Sequence, residues 1–265
     1  MKLSISNIAW DGSKDIEVYK LMEKYGFKGF EIAPTRFFAD RPYERLSEAE
    51  KLAKDLKTSY NFEVCSMQSI LYGRSEVIFE SAENQRKITQ YLLGAIDFAA
   101  AISCKNLVFG SPKNRCLTKE EDYEVAVEFF RVLGEYASKK GTVMSIEANP
   151  SMYGTNFINF TKEAVEIVKN VNSSGFKVNL DFGTIVENRE KIEEVADYME
   201  HINHIHISEP GLAPISQRDG HRELASLLRE KLYNGFVSIE MKKGQNDSLS
   251  EIEKAMNYIA QVFGD

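Results

Sequence analysis

The chain is poor in the features that would tie it to membranes, nucleic acids or an oxidising compartment. No apolar run approaches the ~20 residues that cross a bilayer, so no membrane partner is expected. The amino terminus, MKLSISNIAWDG, has one lysine and then an apolar stretch broken by Ser4, Ser6 and Asn7, unlike the continuous apolar region of a secretory signal. Basic residues number 33 against 40 acidic ones, a net charge of −7, and no Lys/Arg block could track a phosphate backbone; nucleic acid is not an expected partner. The three cysteines, Cys65, Cys104 and Cys116, show neither zinc-ligand nor redox spacing, which fits reduced structural thiols in a cytoplasm. There is no glycine-rich dinucleotide loop after the first β-type segment, where NIAWDGSKD stands, and no linker rich in Pro, Gly or Ser. One domain spanning residues 1–265 is therefore expected, and homo-oligomerisation is left open.

What is present is an alternation. Eight β-type segments, LSISNIAW, KGFEIAP, FEVCSMQSI, KNLVFGS, TVMSIEA, FKVNLDF, INHIHIS and FVSIEMK, are separated by longer amphipathic stretches with apolar residues every three to four positions. The sixth helix is expected over 188–201, and a last one, SLSEIEKAMNYIAQVFG, closes the chain. Strands separated by helices must run parallel, because each crossover returns the chain to the same end of the sheet. Eight such units in 265 residues predict an α/β fold, a (β/α)8 TIM barrel.

Functional groups in such a barrel gather at the carboxyl ends of the strands. Four consecutive segments deliver a metal-type ligand there: Glu147 ends VMSIE, Asp181 ends KVNLD, His206 lies near the end of NHIHIS, and Glu240 ends FVSIE. Three carboxylates converging on one barrel mouth repel one another, and a divalent cation is the simplest compensation. Three oxygen donors and one imidazole suit Mn²⁺ best, with Mg²⁺, Co²⁺ or Zn²⁺ as alternatives. His204 shares the face of His206 but sits a layer lower, where a hydrogen-bonded supporting role is expected. His201 reads as a surface or helix-end residue, and His221 as a helix-capping or loop-ordering one.

Taken as a set, ISNIAW, GFEIAPTR, LVFGSPKNR, SIEANP, YGTNFINFTKEA, VNLDFGT, HIHISEP and YNGFVSIEMK resemble the xylose isomerase-like TIM barrels, the sugar phosphate isomerase/epimerase group that includes the ketose 3-epimerases. The resemblance implies that Glu147, Asp181, His206 and Glu240 are the metal ligands, and that Glu147 and Glu240 also serve as the catalytic acid/base pair. It implies a sugar or sugar phosphate isomerase or epimerase, transferring a proton through a cis-enediolate held on the metal. A metal-dependent lyase of the inosose dehydratase type is the alternative; an apurinic-site endonuclease and a non-catalytic sugar-binding module rank lower. The ketose 3-epimerases resemble this chain at the metal but carry a glutamate, a histidine and an arginine where Tyr153, Thr184 and Leu212 stand, so substrate recognition is expected to differ.

Other contacts must then come from the loops. Arg36 in APTR, with Lys113 and Arg115 in FGSPKNR, form a candidate set for an anionic substrate group. Trp10 is a candidate wall for a sugar ring, and Tyr153 and Glu209 complete the expected substrate contacts. Asn149 and Asn156 read as turn residues.

Overall fold

The computed structural model describes residues 1–244 and 248–264. Strands β1 (Lys2–Ser6), β2 (Gly29–Ile32), β3 (Glu63–Met67), β4 (Leu107–Phe109), β5 (Met144–Glu147), β6 (Phe176–Asp181), β7 (Ile202–Ile207) and β8 (Phe236–Ile239) pair in sequence order, and β1 closes on β8. The pairings are parallel, and the result is the (β/α)8 barrel that the alternation predicts.

Each strand alternates its side chains, and here the alternation separates two chemistries. Leu3, Ile5, Met144, Ile146, Val178, Leu180, Ile205, Ile207, Val237 and Ile239 belong to the apolar core. Polar residues that alternate with them or flank the strands hydrogen bond inside the barrel: Asn106 Nδ2 donates to Ser66 Oγ at 2.9 Å, Ser145 Oγ to Asn106 Oδ1 at 2.6 Å, and Gln68 Nε2 to Ser6 Oγ at 2.9 Å. The barrel interior is thus a polar column wrapped in an apolar sleeve. Burying those amides and hydroxyls is tolerable because they satisfy one another.

The helical layer consists of α1 (Asp15–Lys24), α2 (Leu46–Tyr60), α3 (Ala82–Ala101), α4 (Asp122–Lys140), α5 (Thr161–Val171), α6 (Phe182–Asn188), α7 (Asp219–Glu230) and α8 (Ser248–Phe263). In α5 the apolar stripe Ala164, Val165, Ile167, Val168 and Val171 is buried. Phe130 of α4 stacks on Phe176 of β6 with centroids 4.8 Å apart, one of many aromatic contacts in the sleeve. Burying such a ring contributes about 1.5–3 kcal/mol. At the end of α4, Gly141 adopts φ +72°, a left-handed cap that a side chain would strain. No helix among the described residues is long and apolar enough to cross a membrane. Cys65 and Cys104 are buried and Cys116 half-buried, all as free thiols.

The sixth helix departs from expectation. It starts at Phe182, directly after β6, because Asp181 caps it by accepting the Thr184 amide hydrogen at 2.6 Å. Arg189, at φ 56°, ends it, and the expected segment 188–201 instead holds two short 3-10 turns, Ile192–Asp197 and Met199–His201.

Candidate metal centre

At the carboxyl ends of β5 to β8 the chain brings Glu147, Asp181, His206 and Glu240 together, with one ligand atom from each within 4.8 Å of the others. Glu147 is the last residue of β5; its Oε1 accepts from Asn179 Nδ2 at 2.7 Å and its Oε2 from Asn149 Nδ2 at 3.2 Å. Asp181 ends β6 and accepts from Ser208 Oγ at 2.5 Å as well as from the Thr184 amide. Glu240 follows β8 and is anchored through its backbone amide, which donates to the Ile207 carbonyl at 3.0 Å. The carboxylates of Glu147, Asp181 and Glu240 open into a cavity of about 500 Å³.

Electrostatics at this cluster reflect the crowding of buried carboxylates. Burial, reinforced by the Glu147 charge, pushes Asp181 up to about 6, and burial pushes Glu240 up to about 7. For His206 burial acts against the imidazolium, but Glu31 and Glu240 outweigh it and hold the ring well above the ordinary imidazole value.

His206 supplies the test of whether a cation fits. Its Nδ1 lies 3.0 Å from Glu147 Oε1 and 3.2 Å from Glu240 Oε2, yet makes no properly directed hydrogen bond. A fully buried ring nitrogen aimed among carboxylate oxygens, without a hydrogen bond of its own, is the donor set of a divalent ion. The residues fit the group.

Of the expected substrate contacts, Lys113 and Tyr153 line the same cavity as the three carboxylates. The other four do not line it. Asp15, the first residue of α1, draws two of them away: it accepts from the Trp10 indole at 2.7 Å and from Arg36 Nη2 at 2.5 Å. The Arg36 guanidinium also covers the Trp10 ring at 5.4 Å, and Trp10 itself is only 2% exposed. Arg115 is fully buried and donates to Asn149 Oδ1 at 2.6 Å, so it supports the amide that holds Glu147. Glu209 turns to Arg218, accepting from Nε at 2.9 and 3.0 Å. Trp10, Arg36, Arg115 and Glu209 are thus held by neighbouring residues and do not line the cavity that Glu147, Asp181 and Glu240 share.

The remaining histidines divide. His204 lies in the lumen, with Nε2 3.2 Å from Glu31 Oε2. His201 is half-buried beside Glu200. His221, expected in a helix-capping or loop-ordering role, is buried against Phe182 at 4.2 Å between ring centroids, with Nδ1 3.2 Å from the Tyr258 hydroxyl, which itself bonds the Arg218 backbone. Asn156 bridges both backbone groups of Leu117, 39 positions away, tying two loops together, whereas Asn149 belongs to the site.

Sequence reasoning missed Glu31, Asn179, Ser208 and Gly110. Glu31 had a visible signal, a charged residue at an inward position of the apolar segment GFEIAP. Gly110 leaves the space that the Glu147 carboxylate fills: a Cβ there would stand 2.5 Å from Oε2.

Comparison with known proteins follows the same lines. Residues 19–262 match the sequence profile of the family described as xylose isomerase-like TIM barrel. Among curated proteins, none matches by sequence. Similar solved structures include a 3-keto-D-glucoside 4-epimerase, YcjR, from E. coli, with 18% identity and a TM-score of 0.80 over 98% of this chain and 99% of that one. A D-psicose 3-epimerase from Clostridium cellulolyticum H10, solved with D-tagatose, has 17% identity and a TM-score of 0.80, covering 100% of both chains. An L-ribulose 3-epimerase has 13% identity and a TM-score of 0.81 over 99% of this chain and 95% of that one. At these identities the likeness is one of fold.

Proposed function

This chain belongs to the xylose isomerase-like TIM barrel family, and from that premise we propose that it is a divalent-metal-dependent sugar epimerase or isomerase. The observation that carries the reading is the convergence of Glu147, Asp181, His206 and Glu240 around the orphaned Nδ1 of His206. Similar folds that act on keto sugars support the substrate class. A cation held by these four residues, Mn²⁺ in the first instance, would supply Lewis acidity and make the C–H beside a substrate carbonyl more acidic.

The protein's own groups would handle the proton. Asn179 and Asn149 orient both oxygens of Glu147, so its carboxylate presents a fixed face to the cavity. Glu240 lies with Oε2 3.2 Å from His206 Nδ1 and lines the cavity, where it can take up or return a proton. One glutamate removes the proton next to the carbonyl, and the other delivers one to the opposite face or to the neighbouring carbon. Arg115, behind Asn149, holds positive charge near Glu147 without entering the cavity. Lys113 is exposed at the rim and has no carboxylate partner among the described residues, which supports a phosphorylated or otherwise anionic sugar.

The test is turnover by metal-reconstituted protein of ketoses, keto-glycosides and their phosphates, read by NMR in D₂O. Solvent deuterium should enter the C–H bond of the product, and Glu240→Gln should lose ~10²–10⁴ in turnover at saturating metal. Complete retention of the substrate hydrogen, near-normal turnover in the variant, or no Mn²⁺, Mg²⁺, Co²⁺ or Zn²⁺ binding tighter than millimolar would overturn the proposal.

A further inference from the structure

We propose that Glu31 is a positioning residue for the metal-ligating imidazole: by accepting the Nε2 hydrogen of His206, it decides which ring nitrogen faces the cation. The inference rests on the metal-site reading above and deepens it. Glu31 lies in β2, across the lumen from β7, and is fully buried. Its Oε2 stands 2.9 Å from His206 Nε2 and 3.2 Å from His204 Nε2, and the two rings are nearly perpendicular, at 86°. The opposite nitrogen of His206, Nδ1, is the one that meets Glu147 and Glu240. The imidazole ring therefore stands between this fourth carboxylate and the other three.

A neutral imidazole carries one N–H. With a carboxylate acceptor at Nε2, that hydrogen stays on Nε2, and the Nδ1 lone pair points into the cluster. His204 Nε2 also approaches that oxygen, at 3.2 Å, without a directed hydrogen bond. Packing alone does not account for a glutamate here. Its Oε1 is buried without a hydrogen-bond partner, an avoidable cost if the position only filled space.

Protein labelled with ¹⁵N-histidine and loaded with Zn²⁺, which is diamagnetic, provides a test that needs no substitution. His206 should show a protonated Nε2 and a metal-bound Nδ1; an unprotonated Nε2 would overturn the inference while leaving the metal site intact. Calorimetric titration with Mn²⁺ adds a second readout. Glu31→Gln should weaken binding ~10–100-fold, while His204→Gln, which leaves the Glu31–His206 contact in place, should weaken it by no more than about threefold. A folded Glu31→Gln protein with wild-type Mn²⁺ affinity overturns the inference. If that variant does not fold, the labelled wild-type protein decides alone. If the wild-type protein binds neither ion, the metal reading and this inference fall together.

Discussion

Replacing Gly110 with alanine adds one carbon directly behind the carboxylate of Glu147, a proposed metal ligand. The new Cβ would sit 2.5 Å from Glu147 Oε2 and 3.4 Å from its Cδ, against a comfortable heavy-atom separation of roughly 3.5 Å. The carboxylate must retreat by about 1 Å. It is held at that spot by Asn149 at 3.2 Å and Asn179 at 2.7 Å, so retreat breaks at least one of these bonds. A hydrogen bond to a charged group contributes about 1.5–3 kcal/mol, and each 1.4 kcal/mol is tenfold in affinity, so Mn²⁺ binding should weaken about 10- to 150-fold. Gly110 is not among the glycines with positive φ, so the backbone accepts alanine without strain. Fold stability should hold, since alanine at a compatible site also restricts the unfolded chain by about 0.4–1 kcal/mol. The assay pairs calorimetric Mn²⁺ titration of metal-stripped protein with thermal unfolding. Gly141→Ala, at φ +72°, is the opposite control, losing stability but not metal affinity. A Gly110→Ala protein that binds Mn²⁺ within threefold of wild type would refute the steric argument and the role of Glu147 as a fixed ligand.

Metal binding should release protons near neutrality, because Glu240 is raised to about 7 and Asp181 to about 6 in the metal-free fold. The metal-free protein holds more protons than the unfolded chain between the ordinary carboxylate range and these values, so its stability should fall as pH rises through that window, while cation affinity rises. Calorimetry in buffers of different ionisation enthalpy should detect the release, and a pH-independent affinity between 5 and 8 would contradict it. His221 is pulled down to about 4 by burial. The unfolded chain binds its proton first, so this residue should cost roughly 3 kcal/mol of stability as pH falls from 6.5 to 4, a loss that His221→Phe should remove. Urea unfolding at pH 7 and pH 4.5 checks it, and parallel losses in both proteins would exclude His221 as the cause.

The barrel and the convergence of four side chains at its rim were legible because both follow from local periodicity. Alternation of two within a strand, 3.6 within a helix and one strand per helix implies a parallel barrel, and strand ends in that architecture share a rim. Glu147, Asp181 and His206 lie in their strands and Glu240 directly follows its own, so their convergence needed only the topology. Loop residues carry no such register. Arg36, Trp10, Arg115 and Glu209 point where nearby partners take them, and those partners compete for the same charges: Asp15 for Arg36 and Trp10, Asn149 for Arg115, Arg218 for Glu209. The start of α6 was hidden because Asp181 acts both as strand end and as helix cap. Glu31 shows the division most sharply. Its inward position in GFEIAP was visible, but its partner was not: His206 is 175 residues away. Sequence alone determined which side chains could meet at one end of the barrel, through the repeat of the backbone. Only the tertiary structure decided which nitrogen of His206 faces them, because that depends on a hydrogen bond formed across the lumen after the barrel has closed.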